Sequence, residues 1–269
     1  MNGSPEAKAA EIKISFAGAE AAAALDALGL DRSDGRRRSI HFWDRPQPAA
    51  AADTAVTLPL LDRGVILRLR RDDTGRGSRP DADMTVKLRP CPALPAPWRK
   101  DREGDDWEFT VEEDRPGPAF TPVLAAALQA ERDAGAAHDA ERSGSLDGML
   151  TDRHRELLGA VGLTGEGLGG LTALGPVHAV KWKQDWDGLP RAVAIEEWTV
   201  ATTTTTATTA TTGHGLRFLE VSVRADLSDA AEAGRLLADA LRELGITPPQ
   251  TGETKTRAVM TALARDLAP

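Results

Sequence analysis

Cysteine is nearly absent: Cys91 is the single one in 269 residues. That excludes an internal disulfide framework. Long apolar runs are absent too. The opening residues, MNGSPEAKAAEIK, hold nothing that reads as a signal peptide, and no stretch approaches the roughly 20 apolar residues needed to span a bilayer. A basic excess is also missing. With 33 Lys and Arg against 41 Asp and Glu, the net charge is −8, which argues against nucleic acid or an anionic membrane as a partner bound through overall charge. Any basic site must be local. Hydrophobic residues make up 41% of the chain, enough for a real core. The expectation is a soluble, cytoplasmic protein with one domain over residues 9–265, preceded by a flexible N-terminus at 1–8.

What the chain does have is two-residue periodicity with one charged face. Gly64–Asp72 reads GVILRLRRD, so on a strand Val65, Leu67 and Leu69 share one face and Arg68 and Arg70 the other. The pattern recurs. Glu11, Lys13 and Ser15 oppose Ile12, Ile14 and Phe16, and Thr85, Lys87 and Arg89 oppose Met84, Val86 and Leu88. Lys181 and Lys183 oppose Val180 and Trp182, while Glu220, Ser222 and Arg224 oppose Leu219, Val221 and Val223. Further strands are expected at 39–44, at 107–112 and at 192–200, the last carrying Glu196 and Glu197. Helices are expected at 19–28, 151–162 and 228–245, and at 120–135, where an Ala- and Leu-rich run follows a candidate cap at Thr121 and a proline at Pro122. Residues 143–170 read as a glycine-rich hinge or crossover, and 201–215 as a threonine-rich loop without chemistry.

Alternation of this kind is also what the solvated face of an open antiparallel sheet produces. Solvated faces usually mix charge signs, however, and these faces are mostly basic in an acidic chain. If the sheet curls into a closed barrel, the charges converge in its interior, and like charges are tolerable there only around an anion of high charge density. Competing sites are weak. His41, His138, His154, His178 and His214 show no metal-ligand spacing. GEGLGG at 165–170 lacks the preceding strand of a dinucleotide turn, and Cys91 and the tryptophans read as packing residues.

The order of a charged first strand, HFWD, LRLR, TVK, a second set of charged strands and a terminal ETKTRA resembles the CYTH domain of the triphosphate tunnel metalloenzymes. The resemblance implies an α+β fold: an antiparallel closed tunnel β-barrel of about eight strands in two halves, with helices packed outside. It also implies a triphosphate substrate and Mg²⁺ or Mn²⁺. The family's ExExK falls on Ala9, Glu11 and Lys13, so one carboxylate is replaced. By resemblance, Arg68, Arg70, Lys87, Lys181, Lys183 and Lys255 bind substrate, Glu11, Lys13 and Glu220 are catalytic, and Glu11, Glu196 and Glu220 hold metal. The late ExE pattern is reduced to Glu220 and Ser222. The implied function is metal-dependent hydrolysis of inorganic or organic triphosphate. The alternative is a catalytically weak module that binds polyphosphate or nucleotide, and cyclisation of ATP is the least favoured outcome because nothing points to an adenine pocket.

Overall fold

Strand β1 (Ala9–Ala17) buries Ala10, Ile12, Ile14 and Phe16 on one face and turns Glu11, Lys13 and Ser15 to the other. The same division organises the rest of the fold in this computed structural model, which describes residues 2–48, 56–73, 82–116, 121–201, 215–249 and 255–267. After β1 come β2 (Arg36–Asp44), a short hairpin of β3 (Gln47–Pro48) and β4 (Val56–Thr57), then β5 (Val65–Asp72) and β6 (Ala82–Leu88). These are followed by β7 (Arg102–Glu103), β8 (Trp107–Arg115), β9 (Val123–Arg132), β10 (Thr172–Gln184), β11 (Val193–Val200) and β12 (Leu216–Asp226). The helices are α1 (Gly18–Ala27), α2 (Pro59–Asp62), α3 (Ala134–Ser143), α4 (Asp152–Ala160), α5 (Ala230–Glu243) and α6 (Lys255–Asp266).

Hydrogen bonding orders the long strands β1-β12-β11-β10-β2-β5-β6-β9-β8, and the ring closes where Ala9–Ile12 run parallel to Glu112–Arg115. All other neighbours in the ring are antiparallel. The barrel therefore has nine strands, one more than the approximate eight expected. An odd number forces one parallel seam, since directions cannot alternate all the way round a closed odd ring.

The extra strand is β9, and it corrects the helix expected over 120–135. Alanine and leucine favour helix by intrinsic propensity, but by no more than about 0.7 kcal/mol per residue over ordinary residues. Here the segment fills the gap between β6 and β8 and pairs with both. Those two ladders outweigh the propensity. Ala126, Leu128 and Ala130 face the outer core, whereas Ala127 and Gln129 line the interior. The helix begins only afterwards, at α3, where the Asp133 side chain accepts a hydrogen bond from the Ala136 amide.

The apolar faces lie outside the barrel, under helices. Leu67, Leu69, Val86 and Leu128 pack beneath α3 and α4, and Ile12, Ile14, Val221 and Val223 beneath α1 and α5. Each such fully buried aliphatic side chain contributes about 1.5–3 kcal/mol. Thr151 caps α4 in a reciprocal box with His154, whereas α5 has no side-chain cap and the Ser228 hydroxyl bonds the Asp229 carboxylate. The expected hinge at 143–170 contains α4 and a 3-10 turn at Gly165–Leu168. Within the expected flexible segment 1–8, Gly3 exchanges backbone hydrogen bonds with Leu94 at 3.0 and 2.9 Å, and the Glu6 amide donates to the Arg99 carbonyl. The threonine-rich loop at 201–215 lies, except for its two ends, outside the described residues.

One end of the barrel interior is apolar. Val259, Met260 and Leu263 of α6 pack against Ile40, Phe42, Val177, Trp198 and Phe218. The charged part of the interior begins where α6 begins, at Lys255.

A candidate anion and metal site in the tunnel

The inward-facing side chains of all nine strands, together with the start of α6, enclose a cavity of about 1110 Å³. Every residue expected to act in binding or catalysis lines it: Glu11, Lys13, Arg68, Arg70, Lys87, Lys181, Lys183, Glu196, Glu220 and Lys255. They are not interchangeable, because the cavity has two unlike walls.

The wall at the parallel seam is acidic and fully compensated. Register places Glu11 beside Asp114 and Ala9 beside Glu112, so β8 offers a carboxylate next to the position where β1 has alanine. One carboxylate oxygen from each of Glu11, Glu112 and Asp114 lies within 4.8 Å of the others. Lys13 Nζ sits 2.7 Å from Glu11 and 3.1 Å from Asp114, and Lys87 Nζ lies 3.0 Å from Asp114 and 3.5 Å from Glu112. Arg224 donates to Glu112 at 2.7 Å. Arg89 Nε lies 2.8 Å from Asp114 Oδ2 but is not aligned as a hydrogen bond, so that contact is one of charge alone. Burial by itself raises a carboxyl pKa, but Lys13 and Lys87 outweigh it and hold Glu11 at about 2. The same contest, with Arg89 added, holds Asp114 well below the usual carboxylate range.

Glu196 and Glu220, expected beside Glu11 as metal ligands, are instead committed to Lys255, which reaches them at 2.9 and 3.0 Å. Lys255 Nζ also lies 4.1 Å from the centroid of a Trp198 ring. Burial works against its charge, yet the two glutamates raise its pKa. Lys255 thus neutralises carboxylates rather than standing free for substrate.

The opposite wall, on β10, β2 and β5, is cationic and largely uncompensated. Arg70 is held by Asp83, with Nε–Oδ1 3.0 Å, and by Gln129 at 2.7 Å, and Arg36 pairs with Asp72. Arg38, Arg68 and Lys181 form no ion pair with any described residue. Arg68 has only a 3.4 Å contact to Thr85 Oγ1, and its buried Nε has no partner. Burial, then the neighbouring Arg70, pushes its pKa down to about 10, and burial pushes Lys181 down to about 8. Lys183 is exposed at the rim. There Arg36, Arg38 and Lys181 also border a second cavity of about 620 Å³.

Sequence reasoning missed Glu112, Asp114, Arg38 and Gln129. The acids were legible: Glu108, Glu112 and Asp114 share one parity of WEFTVEED, and extending the strand past Glu112 brings Asp114 onto the same face. Arg38 was visible in RRRS ahead of HFWD. Gln129 had no signal, since its segment read as helix. Of the described histidines, His154 is wholly buried with Nε2 3.2 Å from the Met84 carbonyl, His41 faces Glu141 at 3.3 Å, and His178 is exposed, while His214 lies outside the described residues.

Three clustered carboxylates suit a hard divalent ion such as Mg²⁺ or Mn²⁺, which takes one or two protein carboxylates and fills its remaining positions with phosphate oxygens and water. The donor set fits the ion that the CYTH resemblance implies. No protein-family model matches the sequence, and no curated protein matches it. Solved structures do. HpAC1 from Hippeastrum, described as a candidate adenylyl cyclase with a dominant triphosphatase activity, superposes with a TM-score of 0.52 at 16% identity over 94% of each chain. The Bacillus halodurans protein bh2851, described as a candidate adenylate cyclase, gives a TM-score of 0.51 at 12% identity over 94% of this chain and 97% of its own. The chain has the closed tunnel fold of these proteins, the CYTH-type fold that its own strand motifs resemble.

Proposed function

We propose that the chain is a metal-dependent hydrolase of a triphosphate, inorganic or organic, bound inside the tunnel. The observation that carries this reading is the pair of opposed walls: Arg38, Arg68 and Lys181, none of them in a close ion pair with a described residue and with Glu196 as their shared neighbouring acid, face three clustered carboxylates across one cavity. A buried guanidinium with no partner is costly unless a polyanion supplies one. A phosphate chain does so, and arginine's fork matches its oxygens.

Phosphoryl transfer is catalysed mainly by positioning and charge stabilisation. In this tunnel Arg38, Arg68 and Lys181 draw in the phosphates, and Arg70, held by Asp83 and Gln129, gives them a fixed point of reference. Glu11, Glu112 and Asp114 would hold the ion, whose contribution would be to neutralise phosphate charge and act as a Lewis acid. Lys13 and Lys87 pair with the carboxylates and line the same cavity, so they can serve either carboxylate or phosphate. Glu11 and Asp114 stay ionised at neutral pH and can orient water, though groups so acidic are weak proton acceptors. The triphosphatase activity described for HpAC1 supports the same reading. No helix among the described residues is long and apolar enough to cross a membrane, in keeping with a small-molecule substrate and a cytoplasmic setting.

A second reading, a binding module without turnover, is favoured by one observation: every carboxylate of the cluster already has a cationic partner. Phosphate release from tripolyphosphate, ATP, GTP and thiamine triphosphate, each with Mg²⁺ and with Mn²⁺, separates the two. Ion-dependent release that is lost in Glu11→Gln is the expected result. Binding without release from any of the four supports the module.

A further inference from the structure

The carboxylate cluster carries more positive charge than it needs. Four cations, Lys13, Lys87, Arg89 and Arg224, contact three carboxylates. Lys13 Nζ lies between Glu11 and Asp114, and Lys87 Nζ between Asp114 and Glu112. Those are the positions from which an ion would have to bridge the same carboxylates. A divalent ion entering the anion-free tunnel adds two charges to a site already at net +1, opposite a wall carrying Arg38, Arg68 and Lys181 unpaired. In a partly desolvated interior that is strongly opposed.

From these contacts we infer that Lys13 and Lys87 act as a gate: they occupy the metal seat while the tunnel is free of anion and leave it when an anion binds, so that metal and anion bind cooperatively. This rests on the reading above of Glu11, Glu112 and Asp114 as metal ligands. Both gate residues are lysines, whose flexible stems let one point charge move between partners, whereas Arg89 and Arg224 present planar guanidinium forks to Asp114 and Glu112. Both lysine side chains retain some exposure, 19% and 16%, so neither is locked by packing. An anion on the opposite wall offers them a second partner. Once they turn to it, the carboxylates are released to the ion. The coupling is reciprocal, so metal must tighten anion binding by the same factor.

Mn²⁺ binding measured by electron paramagnetic resonance and calorimetry tests the gate without any turnover. Sulfate is the probe anion, because tripolyphosphate would chelate Mn²⁺ in solution. For the unaltered protein, saturating sulfate should tighten Mn²⁺ binding by a factor of about 5–150, the usual span of such couplings. Lys13→Gln and Lys87→Gln, each checked for a cooperative melt, should tighten Mn²⁺ binding without sulfate and shrink the sulfate effect. Mn²⁺ affinity that is unchanged by sulfate and by both substitutions overturns the gate while leaving the metal site standing. Absence of Mn²⁺ binding in every protein, with and without sulfate, overturns the metal ligands and the gate together. The sulfate arm uses the native sequence, so a misfolded variant does not spare the inference.

Discussion

The two walls of the tunnel use the same residue types under opposite rules. Around β1 and β8, their carboxylates and the cations of β1, β6 and β12 are brought within 2.7–3.5 Å of one another, and charge is settled inside the protein. On β10, β2 and β5, Arg38, Arg68 and Lys181 are half-buried with no partner at such a distance. The first wall stabilises the fold as it stands; the second is costly until a ligand arrives. A cavity lined by many charges is therefore not evidence of a binding site in proportion to their number. The informative charges are those the protein leaves unsettled.

The comparison is broken most severely at Asp114. Asp114→Ala takes away a carboxylate that is 1% exposed and shared by Lys13, Lys87 and Arg89. Removing one partner of a buried charge network costs about 3–5 kcal/mol, which urea unfolding should register, and added sulfate should recover part of it. A loss below about 1 kcal/mol, within the range of exposed ion pairs, would show that the wall is not settled as described.

On the other wall the sign should reverse. Arg68→Met replaces a half-buried cation whose Nε has no partner by an apolar chain of similar length, so the free protein should gain about 1 kcal/mol of stability. Tripolyphosphate affinity, measured by calorimetry, should fall tenfold or more, because a charge-assisted hydrogen bond is worth about 1.5–3 kcal/mol. Destabilisation together with unchanged affinity would place Arg68 on the structural side of the divide.

A smaller effect, on pH dependence, sharpens the contrast at Lys181. Burial lowers its pKa from 10.5 to about 8, so the free protein releases this proton as pH rises through 8, while a bound anion keeps it on. Sulfate affinity should be full below pH 8 and decline above it, and Lys181→Gln should flatten that profile. The same shift means that the unfolded chain holds one more proton between about pH 8 and 10.5, so the free protein gains stability from this group across that window. The smallest effect belongs to exposed Lys183, where Lys183→Ala should weaken anion binding by about 0.2–1 kcal/mol, an effect that disappears in high salt.

Much of this was legible in the sequence because β periodicity assigns faces without reference to neighbours. Eight of the nine ring strands, and the charged faces that carry Lys13, Arg68, Arg70 and Lys87, follow from alternation; that those faces turn inward was implied only by the CYTH resemblance. What alternation cannot supply is who stands beside whom. Glu220 and Glu196 are opposite each other across a ladder, and Lys255 arrives from a helix far along the chain to neutralise both. The partnership of Glu11 with Asp114 depends on a parallel seam between strands about a hundred residues apart. β9 was illegible for a different reason: its alanines announce helix locally, and only the gap between two strands makes them a strand.

The seam also sets when the site comes into being. β1 emerges first from the chain, yet it bonds to β8 on one side and to β12 on the other, so that Lys13 finds its neighbour at Ser222. Contacts so distant in sequence close large loops and slow folding. Glu11 meets Glu112 and Asp114 only where this seam closes. Slow appearance of Mn²⁺ affinity during refolding would then time the sealing of the barrel itself, and a chain lacking 1–17 should expose the edges of β8 and β12 and self-associate through them.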